Sequence, residues 1–584
     1  MKTLPGSLLF LATLAAGQVQ PFMTVSLVPS IPSPSPVGRM LTWAAYVDNA
    51  SAGTLWYRFR VAPPGEQFHI VRDYSPPPLL DWTASEHEGT YEIEVSVRNV
   101  DTGETATDIV LQEMTSNVLD GVPAVYATDN PMVFLYSAPP CPGGSTMGVQ
   151  FESAGRMTGT PRKPCADGLS MNFYLAGFKA AEPYRVWHTV HSNSASSNGP
   201  TIEFETPDFL FPVADSAVRK APEGRPRGGI LLQAPVDTPP FATDLEGNVI
   251  WYYPAGLSEL TRPGEGGHFF GIVQNLSADT SVQAVREFDL AGMTTRETTA
   301  ARINEQLTAM GVRPITSFHH EAAGLPDGKV LVLAATEEIL TDVQGPGEVD
   351  VIGDMILVLD RDLQVVWTWD AFEHLDPARL ATLKEICTPP GGGCPVYHKA
   401  RQATDWLHGN SIQLTPDGNL IYSARHQDWL VKIEYSDGEG SGAVLWRLGK
   451  DGDFQIESGN PDLWFSHQHD ASILPGRDPL VLVFDNGNVR NNSSAGIHSR
   501  GQAFKLDELS RTAKLVLNAD LGAFSRALGS AQRLPDGHYH FNAGWLGAGV
   551  AQSIEVDSNG QIVYDIEVAA PMYRSFRMSD LYTP

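Results

Sequence analysis

At 584 residues the chain is too long for one ordinary domain and should divide into roughly three or four, with 42% apolar residues to fill their cores. A formal charge of −28 speaks against nucleic acid or an anionic membrane as the main partner, because both call for a basic surface; an anionic substrate must be held by a local positive site against the global field. The 54 glycines and 43 prolines are spread along the chain and point to many turns between short strands rather than to disorder.

The opening MKTLPGSLLFLATLAAG places Lys2 ahead of the apolar run Leu8 to Ala16, with Ala15 and Gly17 as small residues for cleavage. Residues 1–17 therefore read as a secretory signal peptide. No later apolar run is long enough to span a bilayer, so the expectation is a secreted or periplasmic protein without a membrane partner. Cys141 with Cys165 and Cys387 with Cys394 form two local pairs, read as two disulfides because proximity favours them over the other connectivities. Neither pair has the knuckle spacing of a structural zinc site.

Residues 22–116 carry the alternating strands MLTWAAYV, LWYRFRVA, YEIEVSVRN and DIVLQE between Pro, Gly and Asn-rich turns, the pattern of a small β-sandwich of the immunoglobulin or fibronectin kind. A second such unit follows at 117–212, with TMGVQFES, MNFYLAGF, YRVWHTVH and TIEFET. His188 and His191 lie on one of its strands and read as surface or satisfied core residues.

From 213 to 584 a turn-plus-strand motif recurs six times: TDLEGNVIWYY, FDLAGMTT, LDRDLQVVWTWD, KIEYSDGEGSGAVLWRLG, FKLDELSRTAKLVL and EVDSNGQIVYDIE. A second hairpin recurs between them as GLPDGKVLVLA, LTPDGNLIYSA, ILPGRDPLVLVF and RLPDGHYHFNA. Repeated double hairpins are what four-stranded blades look like in sequence, so the fold expected is all-β, a six-bladed β-propeller behind two β-sandwiches. One insertion reads as a helix over 377–386, with Asp376 as N-cap, Pro377 in the first turn and Leu380, Leu383 and Ile386 at helical spacing. The Cys387–Cys394 bridge would pin the Pro/Gly loop that follows.

The stretch Thr404 to Gln427 sets His408, Asn410, Arg425 and His426 around the hairpin SIQL-TPDG-NLIYSA. Taking the turn prolines Pro326, Pro416 and Pro475 as equivalent, six residues back lie His320, Asn410 and His469, and eight back lie Phe318, His408 and His467. Equivalent positions in successive blades lie at one height and one distance from the axis, so these polar residues would meet at a common centre. His319 and His320 face opposite sides of a strand, and register selects His320. Asp470 should point away from His469 for the same reason. His374, His398, His426, His498 and His540 read as structural or surface residues.

DWLHGNSI, SARHQ, SHQHD and the short-loop cysteine pair together resemble the bacterial arylsulfate sulfotransferases, which move a sulfuryl group from a phenolic sulfate ester to another phenol without a nucleotide donor. The resemblance implies His469 as the nucleophile of a ping-pong reaction through sulfohistidine, with His320, His408, Asn410 and Arg425 around the sulfuryl group. It also implies a Cys387–Cys394 disulfide, an aryl sulfate donor and a phenolic acceptor as partners, and no cofactor; a homodimer is compatible with it. Family members carry one N-terminal sandwich where this chain shows two. The chemistry is consistent: sulfuryl transfer, like phosphoryl transfer, has a loose transition state whose spread charge suits cationic donors, and neither a GxxxxGK[ST] loop nor a GxGxxG turn is present. Two rival readings are a histidine-ligated divalent metal in a hydrolase or lyase, and a non-enzymatic binding propeller. Arg425 and Asn410 beside the histidines favour an anion over a metal.

Overall fold

The computed structural model describes residues 22–193, 195–208, 211–222, 228–236, 238–388, 393–476, 479–493 and 496–584, and the fold is all-β. The signal-peptide reading of 1–17 lies outside the described residues.

Residues 24–115 form a three-stranded sheet and a five-stranded sheet. Period-two alternation turns Leu41 and Trp43 of one sheet and Phe59, Val61, Ile93, Val95 and Val97 of the other into a single core. Each such large side chain contributes roughly 1.5–3 kcal/mol on burial. Residues 124–205 repeat the arrangement around Phe134, Tyr136, Phe151, Phe173 and Phe178, with Phe134 and Phe178 edge to face at 5.4 Å. The Cys141–Cys165 disulfide closes a 24-residue separation at this core. His188 is buried there with its ring against the Tyr136 hydroxyl at 2.8 Å, a satisfied core histidine as read from sequence. Arg98–Glu305 (2.7 Å) and Arg302–Asp73 (3.2 Å) tie the first unit to the helix Ala300–Met310 of the third region.

Among the described residues from Ser216 to Met578, six predominantly antiparallel sheets follow one another. The recurring turns have a common chemistry, because an aspartate side chain takes the backbone amides two and four residues on. Asp244 accepts from Glu246 (2.9 Å) and Asn248 (3.0 Å), Asp360 from Asp362 (2.9 Å) and Gln364 (2.8 Å), and Asp557 from Asn559 (2.9 Å) and Gln561 (2.8 Å). The two ends of the region share sheets: Ser216–Lys220 pairs with Ile562–Val568 in the last sheet, and Met572–Met578 pairs with Ile230–Pro235 in the first. The strands Glu259–Pro263, Ser317–Gly324, Gly409–Leu414, His469–Leu474, Ser530–Arg533 and Met572–Met578 each touch the next, and the last touches the first.

The helix expected over 377–386 is not formed. The helix in this insertion is Ala371–His374, capped by Asp370, and beyond it the chain runs through turns to the short strand Ile386–Cys387. Leu380, Leu383 and Ile386 are 47%, 37% and 54% exposed, so the intended apolar stripe has no surface to bury against. An isolated helix of that length has too little cooperativity to persist. The Thr382 amide donates instead to the His426 carbonyl at 2.7 Å. The Cys387–Cys394 disulfide is formed, at an S–S distance of 2.02 Å.

Candidate active site

Three of the strands that touch in a ring, Ser317–Gly324, Gly409–Leu414 and His469–Leu474, carry histidines at or beside their starts and lead at the other end into the turns at Pro326, Pro416 and Pro475. Their starts are not regular. His320, His408, His467 and Asp470 all adopt left-handed backbone, with φ of 60°, 49°, 52° and 50°. Non-glycine residues in this region cost of order 1–3 kcal/mol each and persist where surroundings impose them. The ladders slip at the same places, between Phe318 and Ala322, Gly409 and Ser411, and His469 and Ser472. Sequence spacing of two therefore does not place His408 with Asn410, or His467 with His469, on one regular face. Gly409 is required between its polar neighbours: a Cβ there would lie 2.4 Å from the Tyr422 ring and 2.7 Å from Asp354 Oδ2. Its amide donates to Asp354 at 2.7 Å.

Five imidazoles form a continuous file. Ring centroids are 5.1 Å apart from His319 to His320, 5.1 Å from His320 to His408, 4.7 Å from His408 to His426 and 5.6 Å from His426 to His467. His408 Nδ1 lies 2.7 Å from Asp405 Oδ2, which fixes the orientation of the ring. Arg425 Nη1 donates to His426 Nε2 at 2.5 Å, so His426 carries its proton on Nδ1 and gives it to the Asp405 carbonyl at 2.7 Å. Burial first, then the charges of His408 and Arg425, hold the His426 pKa well below the usual histidine value. His426, read from sequence as structural, is thus a positioning residue for Arg425. His467 is clamped between Asp428 Oδ1 (3.0 Å) and Glu385 Oε1 (2.5 Å).

His469 is 2% exposed, and its Nδ1 lies 2.7 Å from Asn486 Oδ1. The amide orientation is settled by its other end, since Asn486 Nδ2 donates to the carbonyls of Ser525 (2.9 Å) and Leu528 (3.1 Å). Oδ1 must accept from Nδ1–H, which leaves Nε2 bare. Burial and the nearby Arg425 charge push the His469 pKa well below the usual value, so the ring is neutral near pH 7. Asn410 is held by its Nδ2 donating to the Gln468 carbonyl at 2.7 Å. Beneath the site Arg574 donates to Glu321 (2.9 and 2.8 Å) and to the Asn410 carbonyl (2.8 Å), while Arg262 pairs with Glu321 and Asp470. Asp470 does turn away from His469, though through its left-handed backbone rather than along a regular strand; it also takes the side chain of Gln413 (3.0 Å) and the amide of Ala531 (3.2 Å). The Tyr573 hydroxyl donates to the His320 carbonyl.

His320, His408, Asn410 and His469, chosen by register, and Arg425, which follows the central hairpin, all belong to this one neighbourhood. Asp405, His426, Asn486 and Asp354 were missed. Asp405 could have been noticed three residues before His408; Asn486 and Asp354 carry no local signal. Asp405–His408–His426 and Glu385–His426–His467 have the mutual spacing of metal ligands. Both share His426, whose Nε2 already faces the Arg425 guanidinium, so a metal there would adjoin a fixed cation. A separate cavity of about 750 Å³, lined by Arg262, Phe270, Arg296, Lys329, Ile412 and Gln413 among others, opens at the turn end of the strands and contains none of the site histidines.

Comparison with known proteins places residues 210–577 in the family model described as Arylsulfotransferase (ASST). The chain is also similar to the arylsulfate sulfotransferase AssT of Escherichia coli O6:H1 (strain CFT073), 25% identical over 341 residues that cover 48% of this chain and 53% of that protein. The chain thus spans about half the length of the curated relative it matches.

Proposed function

This chain belongs to the arylsulfotransferase family, and from that premise we propose that it moves a sulfuryl group from a phenolic sulfate ester to a phenolic acceptor, with no nucleotide, through a sulfohistidine at His469. The observation that carries the reading is the bare Nε2 of a buried neutral His469 whose Nδ1–H is held by Asn486. Nε2 attacks sulfur and the S–O(aryl) bond breaks. Arg425, His408 and Asn410 donate to the sulfuryl oxygens, and His320 protonates the departing phenolate. An acceptor phenol then gives its proton back to His320 and takes the sulfuryl group from nitrogen. Covalent capture divides one hard displacement into two easier ones and makes the kinetics ping-pong. Beside the site the Arg526 guanidinium stacks 4.0 Å over Trp545, and the Arg526 carbonyl accepts from Arg425 Nη2 at 3.4 Å.

The same reading takes the six sheets as the blades of a β-propeller over 213–584, behind two sandwich domains at 22–116 and 117–212. What supports it is the ring of touching strands and the sharing of sheets between the two ends of the region. Secretion or a periplasmic location follows from the N-terminal pattern and is compatible with two disulfides.

The test is rapid mixing with a chromogenic aryl sulfate and no acceptor, followed by peptide mass spectrometry. The expected adduct lies on the peptide containing His469, is discharged by phenol and is absent in His469→Asn. An adduct elsewhere, or wild-type turnover in that variant, removes the assignment.

A further inference from the structure

An imidazole that gives its proton to a leaving phenolate has to be resupplied, and the wall behind His320 contains the means. His320 Nδ1 lies 2.9 Å from His319 Nδ1, so one proton sits between the two rings. On its far side His319 Nε2 lies 3.2 Å from Asp354 Oδ1, close enough for an ion pair, although the N–H does not aim straight at the oxygen. Neither of those two atoms has a hydrogen-bond partner among the described residues. The other oxygen of Asp354 takes the Gly409 amide (2.7 Å) and the Tyr422 hydroxyl, so two hydrogen bonds hold the carboxylate that faces His319. The His319 and Asp354 side chains are 4% and 1% exposed, whereas the His320 ring is only half-buried, edge-on to His408 and Tyr573.

Resting on the sulfuryl-transfer reading, we propose that Asp354, His319 and His320 form a proton relay, in which His319, held as an imidazolium by Asp354, passes a proton to Nδ1 of His320 as Nε2–H of His320 goes to the departing phenolate. The balance is complete. Before transfer the chain is carboxylate, imidazolium and Nε2–H imidazole; afterwards it is carboxylate, neutral His319 and a His320 protonated on Nδ1 alone. That last form has a bare Nε2, which is what takes the proton of the incoming acceptor phenol, and the proton then runs back to His319. His319 is a positioning residue, while His320 touches substrate.

Electrostatics agree with the direction. Burial works against a charged His319, but the Asp354 carboxylate outweighs it and raises the pKa, with Glu259 and Asp405 adding in the same sense. His320 moves the opposite way, well below the usual value, through burial and then the charges of His408, His319 and Arg574. Two adjacent histidines with pKa values driven apart are suited to one storing a proton and the other delivering it.

The relay matters in proportion to the basicity of the leaving group. General-acid catalysis contributes roughly 10²–10⁴-fold. In His319→Asn, kcat on phenyl sulfate, whose leaving group resembles a tyrosine side chain with pKa about 10, should fall at least about tenfold further than kcat on 4-nitrophenyl sulfate, with little change in KM. Asp354→Asn should show the same split, and serves if the first variant does not fold. Equal losses on both donors in either variant, or no loss, would overturn the relay. A readout independent of turnover is nitrogen-15 NMR of histidine-labelled wild-type protein at pH 7, expected to show His319 doubly protonated and His320 protonated on Nε2 only. A neutral His319 or a His320 with its proton on Nδ1 overturns the proposal even in an active enzyme. Absence of turnover on every aryl sulfate, with the NMR pattern present, would instead sink the sulfuryl-transfer reading and leave the protonation assignment standing.

Discussion

Asn486→Leu separates a nucleophile that is merely near the substrate from one whose tautomer is set by its surroundings. Leucine fills a similar volume but cannot accept from His469 Nδ1–H, now 2.7 Å from Asn486 Oδ1. A buried N–H without a partner costs roughly 1–3 kcal/mol. His469 can avoid that cost by moving its proton to Nε2, where the sulfuryl oxygens of a bound donor accept it. That shift leaves only about 1 part in 5 to 1 part in 150 of the enzyme with a bare Nε2. Single-turnover release of 4-nitrophenol should therefore slow about five- to 150-fold, with donor affinity nearly unchanged. The carbonyls of Ser525 and Leu528 lose their donor as well, so thermal stability should drop by an amount equivalent to roughly 2–4 kcal/mol. A variant with the expected melting shift but the wild-type single-turnover rate would refute tautomer control by Asn486.

Acid should both inactivate and unfold the protein. The folded-state pKa values of His320, His426 and His469 lie well below that of the unfolded chain, and that of His540 lies at about 3. The unfolded state therefore binds more protons below pH 6.5, and each of these groups withdraws roughly 1 kcal/mol per pH unit until its folded pKa is reached. His319, raised by Asp354, acts in the opposite sense, stabilising below the unfolded pKa and losing that contribution as pH rises through its folded value. Net loss of stability from pH 7 to 5 in equilibrium denaturation is expected; a flat profile would show that these rings are charged in the fold. The acid limb of kcat should likewise lie below pH 6.5. Arg425→Lys keeps the charge but loses the planar fork that reaches His426 Nε2 and the Arg526 carbonyl, and kcat/KM should fall about 10- to 100-fold. Cys387→Ser with Cys394→Ser removes a short cross-link worth roughly 2–3 kcal/mol in chain entropy. Because Glu385, two residues upstream, clamps His467 at 2.5 Å, kcat should fall as well; a melting shift with unchanged kcat would show that the clamp does not need the loop.

Much of the architecture was legible from neighbours in sequence. Leu55–Ala62 and Thr146–Ser153 occupy the strands their alternation marks out, and the aspartate turns at Asp244, Asp360 and Asp557 close as their residue types require. Both disulfides join the cysteines nearest in sequence. These are interactions among residues a few positions apart, where side-chain period and turn geometry act without help from the rest of the chain. Counting from Pro326, Pro416 and Pro475 likewise brought out His320, Asn410 and His469, because a repeat carries its register along with it.

What the tertiary structure alone decided is which state those residues are in. The leucines of 377–386 have helical spacing, but no surface in the fold receives them, and the helix is lost. Asp354 stands 35 positions from His319, and the tyrosine that braces His320 is 253 positions away. Asn486 fixes the proton of His469 only because its own amide is turned by two carbonyls from a later loop. Composition and spacing could identify histidines as candidates. Whether each is a nucleophile, a proton donor or a clamp depends on burial and on the atom opposite each ring nitrogen, and both come from segments distant in sequence that only the packed fold brings together.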